Sequence, residues 1–217
     1  MGGQNKTRIE RSEDNMENLT ILPAPNKSLA FPLMQAIQNR RSLRKWQDEP
    51  ISQEDLSNLL WAACGVTKEK YGKVKCKRSA PSACNSQEIR VYVLLPEGIF
   101  RYEEEMHGLE RITSEDIREH VGTQKMMKSA PLGLVYVADL SRMTSPFIRS
   151  DEAKRFSAWV DTGFVSQNVY LYCTAANMGT VALMLIDRKM LGKKLQLREH
   201  EKIVMTQAVG YLQNNDD

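Results

Sequence analysis

Between Asp161 and Asp187 the chain runs for 25 residues without a formal charge, TGFVSQNVYLYCTAANMGTVALMLI. This stretch limits the fold more than any other feature, because it has to be buried wherever it lies. Ser166, Gln167, Asn168, Thr174, Asn177 and Gly179 interrupt it, and polar groups at mid-bilayer depth are costly. It is therefore read as buried in protein. The helical pattern begins near Asp151, so one helix is expected over about 151–178, with Gly179 at its end. At 1.5 Å per residue it would span ~40 Å. Phe164, Val165, Val169, Tyr170, Leu171, Cys173, Ala175 and Ala176 leave its second half with no wet face. A helix apolar all round must be covered on every side. With 217 residues the chain suits one domain and has little left for that task. Cover by a second subunit is the expectation; a helix central to a monomer is the alternative.

The rest of the chain supplies alternating elements. Residues 1–27 are polar and end in LPAPN, which reads as an extended N-terminal arm; residues 28–217 form the domain. Pro32 can start a helix whose apolar face is Leu33, Met34 and Ile37 and which ends near Arg40–Arg44. Ser52 is an N-cap, Leu56, Leu59, Leu60 and Ala63 form a core stripe, and Gly65 stops that second helix. A basic loop over 66–80 follows, with six Lys or Arg against one Glu between Lys68 and Arg78. IRVYVLL (89–95) and PLGLVYVADL (131–140) are core strands, and IFRYEE and LERIT form a hairpin around His107-Gly108. One or two helices are expected between Ser114 and Lys128, then TVALML (180–185), a short helix near Asp187–Leu197 and a last strand over 202–212. Strands and helices mix without a strict βαβ rhythm, which favours α+β.

Composition narrows the chemistry. Hydrophobic residues at 41% and charged residues at 26% are ordinary for a soluble globular chain. A net charge of +3 does not by itself imply nucleic acid. Cys64, Cys76, Cys84 and Cys173 show no C-x-x-C spacing and only three histidines exist, so no metal site is expected. Free thiols in a reducing compartment and the lack of an apolar leader suggest the cytoplasm; export with a leader removed is the alternative. No dinucleotide-binding G-x-G-x-x-G, P-loop or G-x-S-x-G elbow is present. An enzyme built on this chain would borrow its chemistry from a cofactor. No side chain stands out as catalytic; Tyr71, His107 and Cys84 are the groups available for proton transfer.

Two constellations invite a ligand. Arg40, Arg41, Ser42 and Arg44 crowd the end of the first helix, where helical geometry would put Arg40 and Arg44 on one face and Arg41 about 100° away. Such a cluster is either a solvated helix end or an anion site, since guanidinium groups bind phosphate in bidentate fashion. Nucleic acid is a weaker option, because only Tyr71 offers a stacking ring in the nearby basic loop. The second is APSACNSQ (80–87), where Pro81, Ser82, Ala83 and Asn85 are small or amide-bearing. Small residues let a flat ring approach the backbone, and an Asn amide can both donate to and accept from a pyrimidine edge. An ordinary polar turn would look the same.

Four stretches in order carry a family resemblance: RRSLR (40–44), PSACNSQ (81–87), DTGFVSQNVYLYCTAANMGT (161–180) and AVGY (208–211). Over about residues 30–212 the chain resembles the nitroreductase family of flavin enzymes, and within it the branch of small proteins similar to the oxidase component of peptide-thiazoline biosynthesis. The resemblance implies an α+β fold with a mostly antiparallel central sheet flanked by helices. It also implies a homodimer with the long helix at its interface and FMN held by both chains. Arg40, Arg41, Ser42 and Arg44 match the segment that holds the FMN phosphate, ribityl chain and pyrimidine carbonyl. Pro81, Ser82, Ala83 and Asn85 match the segment that reaches the flavin from the partner. Gly179, Thr180, Leu183 and Met184 match the segment beneath the isoalloxazine. Relatives often carry Arg-Gly where this chain has Leu183-Met184, and a Pro after the terminal Gly-Tyr. Arg40 and Arg41 then carry more of the phosphate, with Lys73 or Arg78 of the basic loop as helpers. The implied activity is NADH- or NADPH-driven reduction of a small-molecule acceptor such as a nitro compound or quinone, with no role for nucleic acid or membrane. Flavin-dependent oxidation of a peptide or heterocycle, and non-catalytic flavin binding, are the alternatives.

Overall fold

The structure, a computed structural model, describes residues 18–70, 72, 75–124 and 130–213. In chain order the elements are β1 (Leu19–Ile21), α1 (Leu33–Asn39), α2 (Gln53–Cys64), β2 (Val66–Lys68), β3 (Lys77–Arg78), β4 (Ile89–Leu95), β5 (Gly98–Glu103), β6 (Gly108–Thr113), β7 (Leu132–Asp139), α3 (Asp151–Ala175), β8 (Met178–Leu183), α4 (Arg188–Lys194) and β9 (Glu201–Tyr211). Seven strands form one sheet in the order β1-β6-β5-β4-β7-β9-β8, and every pairing in it is antiparallel. The α+β expectation with a mostly antiparallel sheet holds.

Both faces of the sheet are covered, which explains the unbroken apolar runs of β4 and β7. Leu134 and Tyr136 point into a core shared with Leu59 and Leu60 of α2 and Val165, Val169 and Cys173 of α3. Val135 and Val137 point to the other side, where Trp46, Ile117, Val121 and Leu191 of α4 pack. Helix α2 begins as its cap predicts: the Asp55 amide donates to Ser52 Oγ at 3.0 Å, and Ser52 Oγ donates back to the Asp55 carboxylate at 2.9 Å. That carboxylate also accepts from Tyr172 of α3 and Tyr211 of β9, at 3.0 and 2.6 Å. One acid thus ties the start of α2 to the long helix and the last strand.

Three expectations change. Helix α1 stops at Asn39, and Arg40 is already extended (φ −52°, ψ 123°), so the arginine cluster does not lie on a helix. The region read as a basic loop contains the β2–β3 hairpin, and Arg78 is buried there against Glu104 at 3.1 Å. It is committed to that carboxylate and cannot serve a phosphate; Tyr71 and Lys73 lie outside the described residues. Between Ser114 and Gln124 the described residues form only one 3-10 turn, Arg118–His120, rather than a helix.

The long helix is real, and it is half covered. Ala158, Asp161, Thr162, Val165, Ser166, Val169 and Cys173 face the core. Phe156, Trp159, Val160 and Phe164 are exposed, as are Leu33, Met34 and Ile37 of the adjacent α1. Among the described residues no helix is long and apolar enough to cross a membrane.

Candidate functional site

The first and third predicted segments meet in one chain. After Arg40 the backbone leaves the helix and meets β8, where the Leu43 amide donates to the Thr180 carbonyl at 3.0 Å. The side chains of Arg40 and Ser42 turn to one side of the segment. Tyr170 of α3 serves this side: the Arg40 guanidinium lies 5.3 Å over its ring, Ser42 Oγ sits 3.1 Å from its hydroxyl, and the Ala182 amide donates to that hydroxyl at 2.9 Å. Tyr170 therefore fastens RRSLR to β8. It was visible in the sequence only as one more apolar position.

Trp46 locks the far end of the segment. Its indole nitrogen donates to the Gly179 carbonyl at 3.0 Å. A β-carbon at Gly179 would sit 2.7 Å from Leu212 Cδ2 and 3.1 Å from the indole nitrogen, and one at Gly210 only 2.7 Å from Trp46 Cδ1. The glycines of MGT and AVGY thus make a notch for the tryptophan. Thr180 is buried with its hydroxyl donating to the Ala208 carbonyl at 2.8 Å, and Leu183 is buried; Met184 is exposed. Of the third segment, Met184 offers its side chain and the others offer backbone.

The guanidinium groups are short of acids. Arg41 Nη1 donates to the Gln38 and Arg40 carbonyls at 2.8 and 2.9 Å, and Arg44 Nη1 to the Ser42 carbonyl at 3.1 Å. Among the described residues none of the three arginines pairs with a carboxylate. Three clustered cations without a counter-charge fit a phosphate.

The second segment lies elsewhere. Ala83–Asn85 form a 3-10 turn with Cys84 and Asn85 both at φ 52°. Asp161 of α3 holds it, accepting from the Ala83 amide at 2.7 Å, and Ser82 Oγ accepts from the Gln87 amide at 2.9 Å. The Asn85 amide is engaged within its own chain: its nitrogen donates to the Cys76 carbonyl at 3.3 Å and its oxygen accepts from Gln87 at 3.1 Å. No hydrogen bond among the described residues joins this turn to the 40–44 segment. Just after the turn Glu88 is fully buried, and among the described residues neither of its carboxyl oxygens meets an N–H or hydroxyl donor; its polar neighbour is the Asp161 carboxyl. Burial first, then the neighbouring Asp161, push its carboxyl up to about 7.

His107 belongs to neither segment. Its Nδ1 lies 2.7 Å from the Tyr102 hydroxyl and its Nε2 2.7 Å from Ser57 Oγ, which donates to the Pro23 carbonyl at 2.6 Å. Burial holds the imidazole below its usual range. The ring fastens residues beside β1 to α2. Strand β6, which it precedes, is five positions from β8 in the sheet, roughly 24 Å at the usual strand spacing.

Comparison with known proteins agrees with this architecture. The profile of the nitroreductase family matches residues 37–211, and the chain belongs to that family. A protein of Methanocaldococcus jannaschii carrying a provisional nitroreductase assignment is 29% identical over 176 residues, covering 76% of this chain and 85% of its own. The crystal structure of a provisionally assigned nitroreductase from Ralstonia eutropha JMP134 superposes with a TM-score of 0.82 at 33% identity over 91% of each chain. Another, from Desulfovibrio desulfuricans and in complex with FMN, shares the fold with a TM-score of 0.60 at 22% identity, over 86% of this chain and 90% of that one. Membership of this family supports an oxidoreductase.

Proposed function

We propose that this chain is an FMN-dependent oxidoreductase that uses NADH or NADPH to reduce nitro compounds, quinones or similar small acceptors by two electrons, and that it works as a homodimer. The observation that carries this reading is the Leu43–Thr180 backbone bond with Tyr170 beside it, which makes RRSLR and β8 one continuous surface. On it, Arg40, Arg41 and Ser42 would hold the phosphate and ribityl chain. Arg44 would lie near the pyrimidine edge, where a positive charge favours the reduced anion. The backbone of Leu183 and Met184 would face the ring. Bound FMN would supply the redox chemistry, taking a hydride equivalent from the nicotinamide and passing it to the acceptor. The protein's part is to orient the ring and supply charge.

The separate position of the 81–85 turn supports a shared site, in which Pro81, Ser82, Ala83 and Asn85 serve the flavin of a second copy. The exposed apolar residues of the packed helices α1 and α3 support the same arrangement, since Leu33, Met34, Ile37 and Phe164 left open to solvent are characteristic of an interface.

The visible spectrum of the purified or FMN-reconstituted protein tests the reading. Flavin absorbance that bleaches on addition of NADH or NADPH, and returns with an acceptor, is expected. Colour that neither nicotinamide bleaches would move the assignment to the peptide-thiazoline oxidase branch or to a flavin carrier. A protein that takes up no FMN would end it.

A further inference from the structure

We propose that the cavity between α3 and the ends of β7 and β9 binds the electron acceptor and selects a planar aromatic acceptor bearing an anionic group. This deepens the flavin reading and rests on it, because one wall of the cavity is Met184, the residue expected to border the ring.

The cavity measures about 290 Å³, roughly twice the ~150 Å³ that accommodates benzene. It has room for one substituted ring. Its floor is apolar, with Leu140, Ala158 and Val204 contributing. Trp159 stands at its side, 63% exposed. An open indole beside an apolar floor suits a flat partner, since aromatic rings attract one another in offset or edge-on arrangements.

Charge sets the second requirement. Arg155, Arg188 and Lys202 all line the cavity, and among the described residues no carboxylate does. Arg188 spends its donors on backbone, reaching the Val204 carbonyl at 2.9 Å and the Ile203 and Met184 carbonyls at 3.3 Å. Its charge remains. Arg155 and Lys202 are exposed and, among the described residues, in no ion pair. A small cleft lined by a single sign of charge concentrates the opposite sign, and an arginine and a lysine with free donors can hold a carboxylate at its edge.

The probes are 4-nitrobenzoate and its neutral counterpart 4-nitrobenzamide. Binding is followed by quenching of Trp159 emission, with Trp159→Phe as the blank. This readout needs no flavin turnover, so it stands or falls separately from the oxidoreductase reading. The benzoate should bind about tenfold more tightly than the amide, the low end for a charge-assisted contact, and the preference should shrink with added salt. The double variant R155Q/K202Q, which leaves only the backbone-bound Arg188, should reduce that preference at least threefold. In the FMN-loaded enzyme the ratio of kcat/KM for benzoate over amide should fall in parallel. Equal binding of the two probes by the wild type, or a preference undiminished in the double variant, would overturn the proposal. So would a double variant whose NADPH-to-NADH ratio changes while its acceptor ratio does not, because the cations would then be reading the nicotinamide cofactor's phosphate.

Discussion

Ser42 Oγ and the Tyr170 hydroxyl lie 3.1 Å apart across 128 positions of sequence, and the same hydroxyl accepts from the Ala182 amide. This contact joins the end of α1, the long helix and the edge strand at one point. Replacing Tyr170 by Phe leaves the Ala182 amide without its partner and frees Ser42. The expected cost is about 1 kcal/mol of stability, with FMN affinity falling at the same time. Thermal melts and an FMN titration check both; unchanged affinity would remove Tyr170 from the cradle.

Arg41 is exposed and among the described residues meets two backbone carbonyls and no side chain, so its loss should cost the fold little. Arg41→Ala should weaken FMN binding by about 1.5–3 kcal/mol, the scale of a charge-assisted contact. A titration giving wild-type affinity would take Arg41 out of the phosphate site.

How much of this was legible in the sequence depends on how local the cause was. The Ser52 cap, the Gly65 stop and the apolar runs of β4 and β7 are written within a few residues of where they act. The length of α3 was equally plain. The arginine segment was not. Arg40–Arg44 carry ordinary helix-forming residues, and what holds them off the helix is pairing with Thr180 and the seating of Trp46 against Gly179 and Gly210. Those partners lie far along the chain, 133 positions in the case of Trp46 and Gly179, where no periodicity reports them. Arg78 misled for the same reason: its burying partner Glu104 comes from a distant part of the chain.

The Trp46 notch makes its own prediction. Gly210→Ala would place a methyl 2.7 Å from both Trp46 Cδ1 and Pro131 Cδ. Overpacking of this kind costs about 1–3 kcal/mol. The loss should appear in denaturant melts and should loosen the 40–47 segment, seen as faster hydrogen exchange at Leu43. Wild-type stability would show that the notch yields.

Glu88 predicts a pH dependence. Its carboxyl is raised from about 4.5 to about 7 by burial and by Asp161, so the folded state holds the proton more tightly than the unfolded chain. The stability this provides is complete below about 4.5 and is lost as pH rises through about 7. Glu88→Gln keeps the neutral form at every pH. The variant should melt higher than wild type at pH 8, by about 2–4 °C for each kcal/mol relieved, and its melting temperature should change less between pH 5 and pH 8. Parallel profiles for the two proteins would contradict the assignment.

Sedimentation of the FMN-reconstituted protein, monitored by flavin absorbance, decides whether two chains hold the flavin between them. The colour should travel with a species of twice the chain mass, carrying one FMN per chain. Colour on a single-chain species, or a stable monomer that leaves the flavin behind, would contradict it.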